Sequence, residues 1–495
     1  MSIMSTFEEI QKLADQRGIF FPSGEIHSPI SGFFDFGHFG TVLRRKIIEL
    51  WRREVVRRTD GIEIDGCVIL PKKTFEASGH LKNFVDPLVQ CTKCHKSYRA
   101  DKLIEENEGK PIPEAMETQE FDKMIERLGI KCPSCKGALS KVKKFNMMIG
   151  VSIGPLETTN NAYLRPETCQ NIFTAFQKIY KTSRVSLPLA ISQVGRSFRN
   201  EISPRQGLIR SREFTQLETE IFFNPKKIDF CPEFDKYKDM ELNLKLVGKE
   251  TKSYTLEEMV NKKIVSGKLI AYYLAITQNF FDKCGFDKND TRFRELEKDA
   301  RAFYSKETWD FEVKTSIGWL ELVACNYRND YDLSSHSKVS GVDLSVVEDE
   351  EKFIPHVFEL SMGLDRILYS ILEKSYKERG GKPILKLPRY LSPLDLVVLP
   401  LVRKDDVDQK AKEVYEMLKT KFDVKYDERD SIGKRYLIYD QLGIPLAITI
   451  DYESLEKNDV TLRDRDTTKQ IRVKIKDLEN KIKEFFEGKN IFVEK

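Results

Sequence analysis

Two short cysteine pairs place the tightest constraint on how this chain can fold. Cys91 and Cys94 stand in the sequence CTKC, and Cys132 and Cys135 stand in CPSC. Two C-x-x-C pairs can bring four thiolates within tetrahedral reach of one Zn²⁺. The interval between the pairs is longer than in a compact zinc ribbon, so the intervening segment must loop out. We therefore expect a zinc-bearing insertion at about residues 61–154.

The role expected for this metal is structural, because four protein ligands leave no open coordination position for chemistry. His95, beside the first pair, is then a bystander. The alternative for the paired cysteines is that they are reduced and packed as small apolar residues. That state is expected for the other five cysteines, which are Cys67, Cys169, Cys231, Cys284 and Cys325.

Composition restricts the class of protein. The chain has 495 residues, of which 40% are hydrophobic and 32% are charged, values that exclude a mainly disordered, fibrous or membrane-spanning protein. The 82 Lys and Arg nearly balance the 78 Asp and Glu, so a polyanionic partner would need a local basic surface. The N-terminal segment has no apolar signal core and carries early acidic residues. A cytoplasmic location is therefore expected.

Hydrophobic periodicity divides the chain into two domains. A helix is predicted over residues 40–56, either as a core element or as a dimer interface. The segment 226–308 has mixed character and includes one strong helix signal. A basic, proline-rich linker marks a boundary near residue 385. Strand and helix signals then alternate, as in a small α/β domain with a parallel or mixed sheet, and a charged helix is predicted over residues 468–488.

The segment 190–223 predicts a β-hairpin with a polar face. Because side chains alternate along a strand, Arg199 and Glu201 are expected on one face. On the returning strand, the side chains expected on one face are Phe214, Gln216, Glu218 and Glu220, with Leu217 and Ile221 on the other. A solvated face could show this pattern, but its mixed charges beside apolar neighbours favour a ligand-binding floor.

Two further strands carry isolated acidic residues. Glu321 stands between leucines in SIGWLELVAC, and Glu359 shares a strand face with Ser361 in PHVFELS. A helix follows, with Arg366 in its first turns, where a cation is unfavourable unless it reaches an anion that the helix end also attracts. No G-x-x-x-x-G-K-[ST] loop occurs, so a P-loop nucleotide site is not supported.

These segments resemble class II aminoacyl-tRNA synthetases. Motif 2 is similar to FRNEISPRQGLIRSREFTQLE, and motif 3 is similar to GLDRILYSIL. The glycyl-tRNA synthetase signature RPETAQGIF is matched by RPETCQNIF, and further family segments are matched in order by EASGHLKNFVDP, ELVACNYRNDYDLSSHSKVSG and YDERDSIGKRYLIYDQLGIPLAITID. The resemblance implies an α+β fold with an antiparallel-sheet catalytic core over residues 1–385, interrupted at about 61–154 and 226–308. A C-terminal α/β anticodon-binding domain is implied over residues 386–495.

The resemblance implies ATP-dependent activation of glycine to glycyl-adenylate, followed by transfer to the 3′ end of tRNA(Gly). It assigns the α-phosphate to Arg199, adenine stacking to Phe214 with Arg366 opposite or at the γ-phosphate, and Mg²⁺ to Glu321. The remaining ATP contacts that it implies are Asn200, Glu201, Arg210, Ser211 and Leu322.

The glycine pocket that the resemblance implies consists of Glu167, Glu218, Glu359 and Ser361, with Arg328 facing the substrate carboxylate. Arg99 is a weaker candidate near the substrate end. Because a closed pocket excludes any added side chain by clash, no editing domain is predicted. The implied partners are a second copy of the chain and tRNA, the latter bound at the C-terminal domain near Arg429, Lys434 and Arg435.

The departures from the family pattern are Cys169 for Ala, Asn171 for Gly, Leu360 for Pro and Met362 for Phe. All four stand close in sequence to the implied glycine pocket. Three alternatives stay open at this point. They are a synthetase for another small amino acid, a non-catalytic synthetase-like protein that binds tRNA, and a zinc-dependent nucleic-acid-binding factor. The retention of Arg199 and Arg366 speaks against the second alternative, and the third leaves the arginine and acidic strands unexplained.

Overall fold

The structure is a computed structural model that describes residues 6–110, 112, 116–155, 161–204, 206–302 and 304–492. Within these ranges the chain forms a nine-stranded sheet, a small cysteine-bearing sheet and a separate five-stranded C-terminal sheet, besides shorter ribbons. None of the described helices combines the length and apolarity that a bilayer-spanning segment needs.

The first elements build one side of the main core. They are α1 (Thr6–Gln16), β1 (Phe20–Pro22), β2 (Phe34–Phe36), α2 (His38–Trp51), β3 (Ile62–Ile64), β4 (Ile69–Pro71), α3 (Lys72–Ala77) and α4 (His80–Asn83). Helix α2 buries Leu43, Ile47 and Trp51 at helical spacing. Gly40 lies inside this helix, and a Cβ there would come within 1.8 Å of the Ile19 carbonyl oxygen, so only glycine fits.

The paired cysteines belong to a small subdomain with its own core. Its elements are β5 (Val85–Gln90), β6 (Ser97–Arg99), α5 (Ala100–Glu108), α6 (Thr118–Arg127) and β7 (Lys143–Asn146). The three strands form a sheet in the order β6-β5-β7. Val89, Ile104 and Phe121 pack with the cysteines in one apolar cluster, so the described residues between the two cysteine pairs contribute to a folded core.

The next elements complete the main sheet and its covering helices. They are β8 (Ile149–Val151), β9 (Ala162–Leu164), α7 (Cys169–Ser183), β10 (Leu189–Phe198), β11 (Glu213–Phe223), β12 (Glu241–Lys245), β13 (Lys252–Thr255), α8 (Leu256–Asn261), α9 (Lys268–Lys283), β14 (Thr291–Glu295), β15 (Glu307–Thr315), β16 (Gly318–Asn329), α10 (Tyr331–Ser340), β17 (Val346–Glu348), β18 (Glu351–Phe353), β19 (His356–Gly363), α11 (Leu364–Ser375), β20 (Tyr376–Arg379) and β21 (Lys382–Leu385).

The nine strands of the main sheet lie in the order β13-β12-β14-β15-β16-β19-β11-β10-β3. Neighbouring strands are antiparallel except for β12 with β14 and β10 with β3. The predicted hairpin is present as β10 and β11, which pair from Leu189↔Phe222 to Phe198↔Glu213. Strand β11 lies against β19, and β19 lies against β16. The three strands with the predicted acidic residues are therefore neighbours.

The main sheet separates two apolar cores. On one face, Leu217 and Ile221 of β11 pack with residues of α2, α9 and α11. On the other face, Phe222 of β11 packs with Phe173 and Phe176 of α7. Glu218 of β11 bonds to Thr168, just before α7, so the acidic residues point to the α7 side as the alternation predicts.

The C-terminal domain is built from β22 (Leu396–Pro400), α12 (Val407–Leu418), β23 (Val424–Tyr426), α13 (Ile432–Gln441), β24 (Leu446–Ile450), α14 (Tyr452–Lys457), β25 (Asp459–Asp464), β26 (Gln470–Lys474) and α15 (Leu478–Phe486). Its sheet has the order β23-β22-β24-β25-β26 and is mixed, as predicted. The prediction of one helix over 468–488 is wrong in its first part. There the residues alternate in exposure and pair with β25, so the edge of an existing sheet outcompetes the helix.

Candidate active site

A cavity of about 240 Å³ opens between β11, β16, β19, the loop after β10 and the start of α11. Most of the site residues predicted from the sequence line it. They are Glu167, Arg199, Glu201, Arg210, Ser211, Phe214, Glu321, Leu322, Glu359, Ser361 and Arg366. Because these residues come from three strands that are neighbours only in the folded sheet, and from the loops and helix beside them, the cavity is a product of the tertiary fold.

Three arginines of the cavity wall are held by carbonyl or carboxylate oxygens. Arg199 donates from Nε to the Pro166 carbonyl at 3.2 Å, and its guanidinium lies 5.2 Å from the Phe214 ring centroid. Strand β10 ends at Phe198, so Arg199 lies in the following loop and not on the strand as predicted. Arg210 donates from Nε to Glu201 at 2.7 Å. These contacts orient the Arg199 and Arg210 guanidinium groups along the cavity wall.

Arg366 lies near the start of α11 and connects two parts of the wall. Its Nε donates to the Ile209 carbonyl at 3.0 Å, and its Nη1 donates to the Glu321 carbonyl at 3.1 Å. The same Nη1 lies 3.5 Å from Glu321 Oε2, and both side chains are partly exposed to the cavity. The Glu321 carboxylate therefore lies beside an arginine and keeps part of its surface open to the cavity.

Glu359 belongs to a buried network at the acidic part of the cavity. Its Oε2 accepts from Asn326 Nδ2 and its Oε1 accepts from Arg328 Nη1, both at 2.7 Å. Arg328 also donates from Nε and Nη2 to Asp332, at 2.6 and 2.9 Å. Burial raises the pKa of Glu359, and Arg328 opposes this shift.

One carboxylate oxygen of Glu167 has three polar contacts. Its Oε1 accepts from Cys169 Sγ at 2.9 Å and from Gln170 Nε2 at 3.1 Å, and it lies 3.2 Å from His80 Nε2. Burial alone would raise the pKa of Glu167, but His80 and Arg328 outweigh it and hold the pKa well below its usual range. The cavity therefore has at least one carboxylate that stays ionised.

Four predicted site residues are not part of the cavity wall. Glu218 lies behind it, accepts from the Thr168 hydroxyl at 2.9 Å, and has a pKa that burial and Glu359 raise well above the usual range. Asn200 uses its backbone N–H to bond to the Met147 carbonyl at 2.8 Å.

Arg328 and Arg99 form ion pairs with protein carboxylates and do not line the cavity. The Arg328 side chain is only 1% exposed, and its guanidinium is shared by Asp332 and Glu359, so it does not face a substrate carboxylate as the resemblance implied. Arg99 is bonded to Asp101 from Nε and Nη2 and to Asp86 from Nη1. The physical reason is the same in both places, because a buried cation is stable only with carboxylates at close range.

The wall also includes residues that the sequence analysis did not select. Gln216 accepts from the Thr168 N–H and the Ser197 hydroxyl and donates to Ser361 Oγ at 3.1 Å. The position of Gln216 on the same strand face as Phe214 and Glu218 could have identified it from the sequence. No sequence signal identified Tyr304, because it lies in a region of little motif content and reaches the cavity wall only by tertiary packing. The other members missed are Leu208, Ile209, Ala324, Asn326, Gly363 and Asp365.

The four departures from the family pattern differ in their distance from the cavity. Leu360 and Met362 point to the helix-covered core on the far face of β19 and do not reach the cavity. Asn171 accepts from Arg165 Nη1 at 3.0 Å and donates to the Cys67 carbonyl at 3.2 Å. Of the four, Cys169 alone bonds to a cavity-lining residue among the contacts described, through its thiol and Glu167.

The four paired cysteines converge as a tetrahedral metal site requires. Their Sγ atoms all lie within 4.8 Å of one another, with Cys91 and Cys135 at 3.5 Å and Cys94 and Cys132 at 3.6 Å. Zn–S bonds of about 2.3 Å in a tetrahedron give S–S distances of about 3.8 Å. The Cys94 N–H donates to Cys91 Sγ, and this bond lowers the pKa of the Cys91 thiol. The donor set therefore fits Zn²⁺.

The basic residues expected to contact tRNA have different environments. Arg429 and Lys434 are exposed. Arg435, by contrast, is buried and donates from Nη1 to the carbonyls of Pro400 and Asp427 at 2.8 and 3.0 Å. The expectation that Arg435 contacts RNA is therefore wrong, because its donors stabilise the backbone at the ends of two strands.

Comparisons with known proteins agree with this architecture. The family model for the tRNA synthetase class II core domain (G, H, P, S and T) matches residues 155–375, and the model for an anticodon binding domain matches residues 395–485. The glycine--tRNA ligase of Aeropyrum pernix is 38% identical over 97% of this chain and 96% of its own length. The glycine--tRNA ligases of Pyrococcus furiosus and Methanocaldococcus jannaschii are 38% and 36% identical over 97% of this chain and over 99% and 98% of their own lengths.

Solved structures show the same fold at low sequence identity. A prolyl-tRNA synthetase from Cryptosporidium parvum, complexed with halofuginone and AMPPNP, has a TM-score of 0.61 at 16% identity and covers 98% of this chain and 78% of that chain. A Giardia lamblia prolyl-tRNA synthetase in complex with prolyl-adenylate has the same TM-score and identity, over 96% and 74%.

Proposed function

The chain belongs to the glycine--tRNA ligase family of class II aminoacyl-tRNA synthetases, and from this premise we propose which residues carry the reaction. The enzyme joins glycine and ATP to give glycyl-adenylate and pyrophosphate, and then transfers glycine to the 3′ end of tRNA(Gly). The observation that supports the proposal is one cavity whose wall combines three guanidinium groups with ionisable carboxyl groups.

ATP is proposed to lie along the arginines. Arg199 would bind the α-phosphate, Phe214 would stack on adenine, and Arg366 would lie opposite the ring or at the γ-phosphate. The other proposed contacts are Asn200, Glu201, Arg210, Ser211 and Leu322. Guanidinium groups that are already positioned stabilise the charge that develops as the α-phosphorus is attacked. Because the glycine carboxylate is itself the nucleophile, positioning and electrostatics carry the step.

Glycine is proposed to bind with its ammonium group at Glu167, Glu359 and Ser361, with Glu218 behind them. The ionised Glu167 supports this proposal, because its pKa is held well below the usual range. Arg328 is proposed to position Glu359 through their 2.7 Å bond, with the substrate carboxylate left to other donors. A small pocket also accounts for selection against larger amino acids by clash.

Two metal ions are part of the proposal. Glu321, whose carboxylate is partly exposed in the cavity, would hold Mg²⁺, which supplies positive charge to the phosphates when bound. Cys91, Cys94, Cys132 and Cys135 would hold a structural Zn²⁺, which the inter-sulfur distances support. No catalytic step is assigned to the zinc.

The proposed partners are tRNA(Gly) and a second copy of the chain. The anticodon arm would bind the domain formed by residues 386–495, where Arg429 and Lys434 are exposed. Dimerisation is proposed through α2 and the neighbouring strands, and the exposed Ile26 and Ile30 of the β1–β2 connection support an apolar contact there. The proposed location, as for translation, is the cytoplasm. Sedimentation at several concentrations tests the dimer.

The deciding experiment is ATP–pyrophosphate exchange with a panel of amino acids. We expect exchange with glycine and none with alanine, serine, proline or threonine. Arg199→Ala should abolish it, whereas Arg196→Ala should not, because Arg196 is exposed, pairs with Glu213 and does not line the cavity. A non-catalytic tRNA-binding protein, the second candidate function, would show no exchange in any form. Activity that persists in Arg199→Ala would contradict the catalytic assignment.

A further inference from the structure

A second row of ionisable groups lies buried behind the cavity wall. One ligand atom from each of Cys169, Glu218, Glu220 and Glu359 lies within 4.8 Å of the other three. Glu220 is fully buried, does not line the cavity, and both of its carboxylate oxygens lack a hydrogen-bond partner in the described chain. Such a group is costly in a folded protein and calls for an explanation.

The surroundings of Glu220 are short of positive charge. The preceding side chain on the same face of its own strand is Glu218, and the residue directly opposite on β19 is Glu359. Cys169 of α7 completes the cluster, and Asp332 of α10 adds another negative charge nearby. The counter-charge is Arg328 of β16, whose described hydrogen bonds go to Glu359 and Asp332. On β10 the residue opposite Glu220 is the apolar Ile191.

We infer that Glu220 belongs to the ammonium-binding site of the substrate, as the acid that gives up its proton when the ammonium group binds in front of it. The inference rests on the proposed function, because it takes glycine as the ligand. In the empty pocket Glu220 is a neutral carboxylic acid. When the ammonium group sits at Glu167 and Glu359, in front of Glu218 and Glu220, Glu220 becomes a carboxylate and its proton passes to the solvent, and no other bond forms or breaks.

The electrostatics of the cluster support this exchange. Burial, and then the neighbouring Glu359, raise the pKa of Glu220 well above its usual range, while Arg328 opposes the shift. Glu218 is raised in the same way, so the cluster holds protons as a unit. A bound cation lowers these pKa values, so glycine binding releases protons. By linkage, glycine affinity must then rise as the pH is raised.

A divalent cation in the cluster is the competing occupant. It would use the same Cys169 thiol and Glu220 oxygens, but it would also lie close to the Arg328 guanidinium, which bonds to Glu359 at 2.7 Å. The substrate ammonium group carries one positive charge, where a divalent cation carries two. It also approaches from the cavity, so it is repelled less by Arg328. The metal content of the protein distinguishes the two occupants.

The test uses the full-length enzyme with Glu220→Gln, which keeps the shape of the neutral acid but cannot ionise. Glu220→Asp keeps an ionisable group in the cluster. The matched control is Glu307→Gln, at another buried glutamate of the same sheet that accepts from Ser266 and Trp309 and does not line the cavity. Glycine is the probe. KM values come from pyrophosphate exchange, and proton release comes from calorimetry in phosphate and Tris buffers.

We expect Glu220→Gln to raise the KM for glycine about tenfold, the effect of losing one nearby charge, with the KM for ATP unchanged. It should also release about one proton fewer than the wild type on glycine binding. Glu220→Asp should fall nearer the wild type, and Glu307→Gln should change thermal stability only.

An unchanged glycine KM and unchanged proton release in Glu220→Gln would overturn the inference. So would a wild type that releases no proton, or the loss of one metal equivalent per chain in Glu220→Gln. If Glu220→Gln does not fold, the wild-type proton release and Glu220→Asp still decide the question. A wild type without glycine-dependent exchange would instead overturn the proposed function.

Discussion

Removing the His80 imidazole is expected to weaken glycine binding and to leave ATP binding intact. His80 Nε2 lies 3.2 Å from Glu167 Oε1, and the Ser78 hydroxyl bonds to His80 Nδ1 at 2.7 Å. Because Ser78 occupies Nδ1, Nε2 can carry the hydrogen that Glu167 accepts. Glu167 lines the cavity, so its orientation and charge depend on a residue outside it.

The size of the effect follows from the contacts at Glu167. A hydrogen bond to a charged group contributes about 1.5–3 kcal/mol. Glu167 Oε1 keeps two other donors, Cys169 Sγ at 2.9 Å and Gln170 Nε2 at 3.1 Å, so the lower value applies. Since 1.4 kcal/mol is a factor of ten, His80→Leu should raise the KM for glycine about tenfold.

The assay is glycine-dependent pyrophosphate exchange at saturating ATP, with thermal unfolding measured on the same samples. Leucine keeps an apolar group against Phe75 and Phe84, whose rings lie 6.2 and 5.6 Å from the His80 ring. His80→Gln is the matched rescue, because its amide nitrogen reaches the position of Nε2. A glycine KM in His80→Leu within twofold of the wild type would refute the argument. Equal impairment in His80→Gln, or a parallel rise in the KM for ATP, would refute it as well.

Three further changes test other parts of the structure. Arg328→Met should lower the free energy of unfolding in urea by about 3–5 kcal/mol, because it leaves Asp332 and Glu359 buried without their cation, and a loss below about 1 kcal/mol would contradict this. Cys132→Ser should lose bound zinc, measured by elemental analysis, and lower the unfolding temperature, whereas Cys67→Ser, at an exposed cysteine outside both pairs, should do neither. Arg429→Ala should raise the KM for tRNA, whereas Arg435→Met should mainly destabilise the C-terminal domain, so the opposite ranking in a tRNA-charging assay would count against the burial argument.

Local pattern was enough to predict several features of the site. Strand alternation correctly separated Glu218 and Gln216 from Leu217 and Ile221, because side-chain direction on a strand depends only on position along it. The same alternation sends Leu360 and Met362 to the far face of β19, which explains why those two departures do not reach the cavity. The cysteine spacing likewise predicted four converging sulfur atoms.

The tertiary structure decided which charged side chains line the cavity and which pair with other groups of the protein. Arg328 and Arg435 look in sequence like the arginines of the cavity wall, yet packing surrounds the first with two carboxylates and the second with carbonyl oxygens. Tertiary packing also brings Tyr304 to the cavity wall. Pairing with β25 likewise makes residues 470–474 a strand, β26, where the sequence predicted a helix. Periodicity and spacing are properties of a short segment, whereas burial and charge pairing depend on segments that come together only when the sheet is assembled.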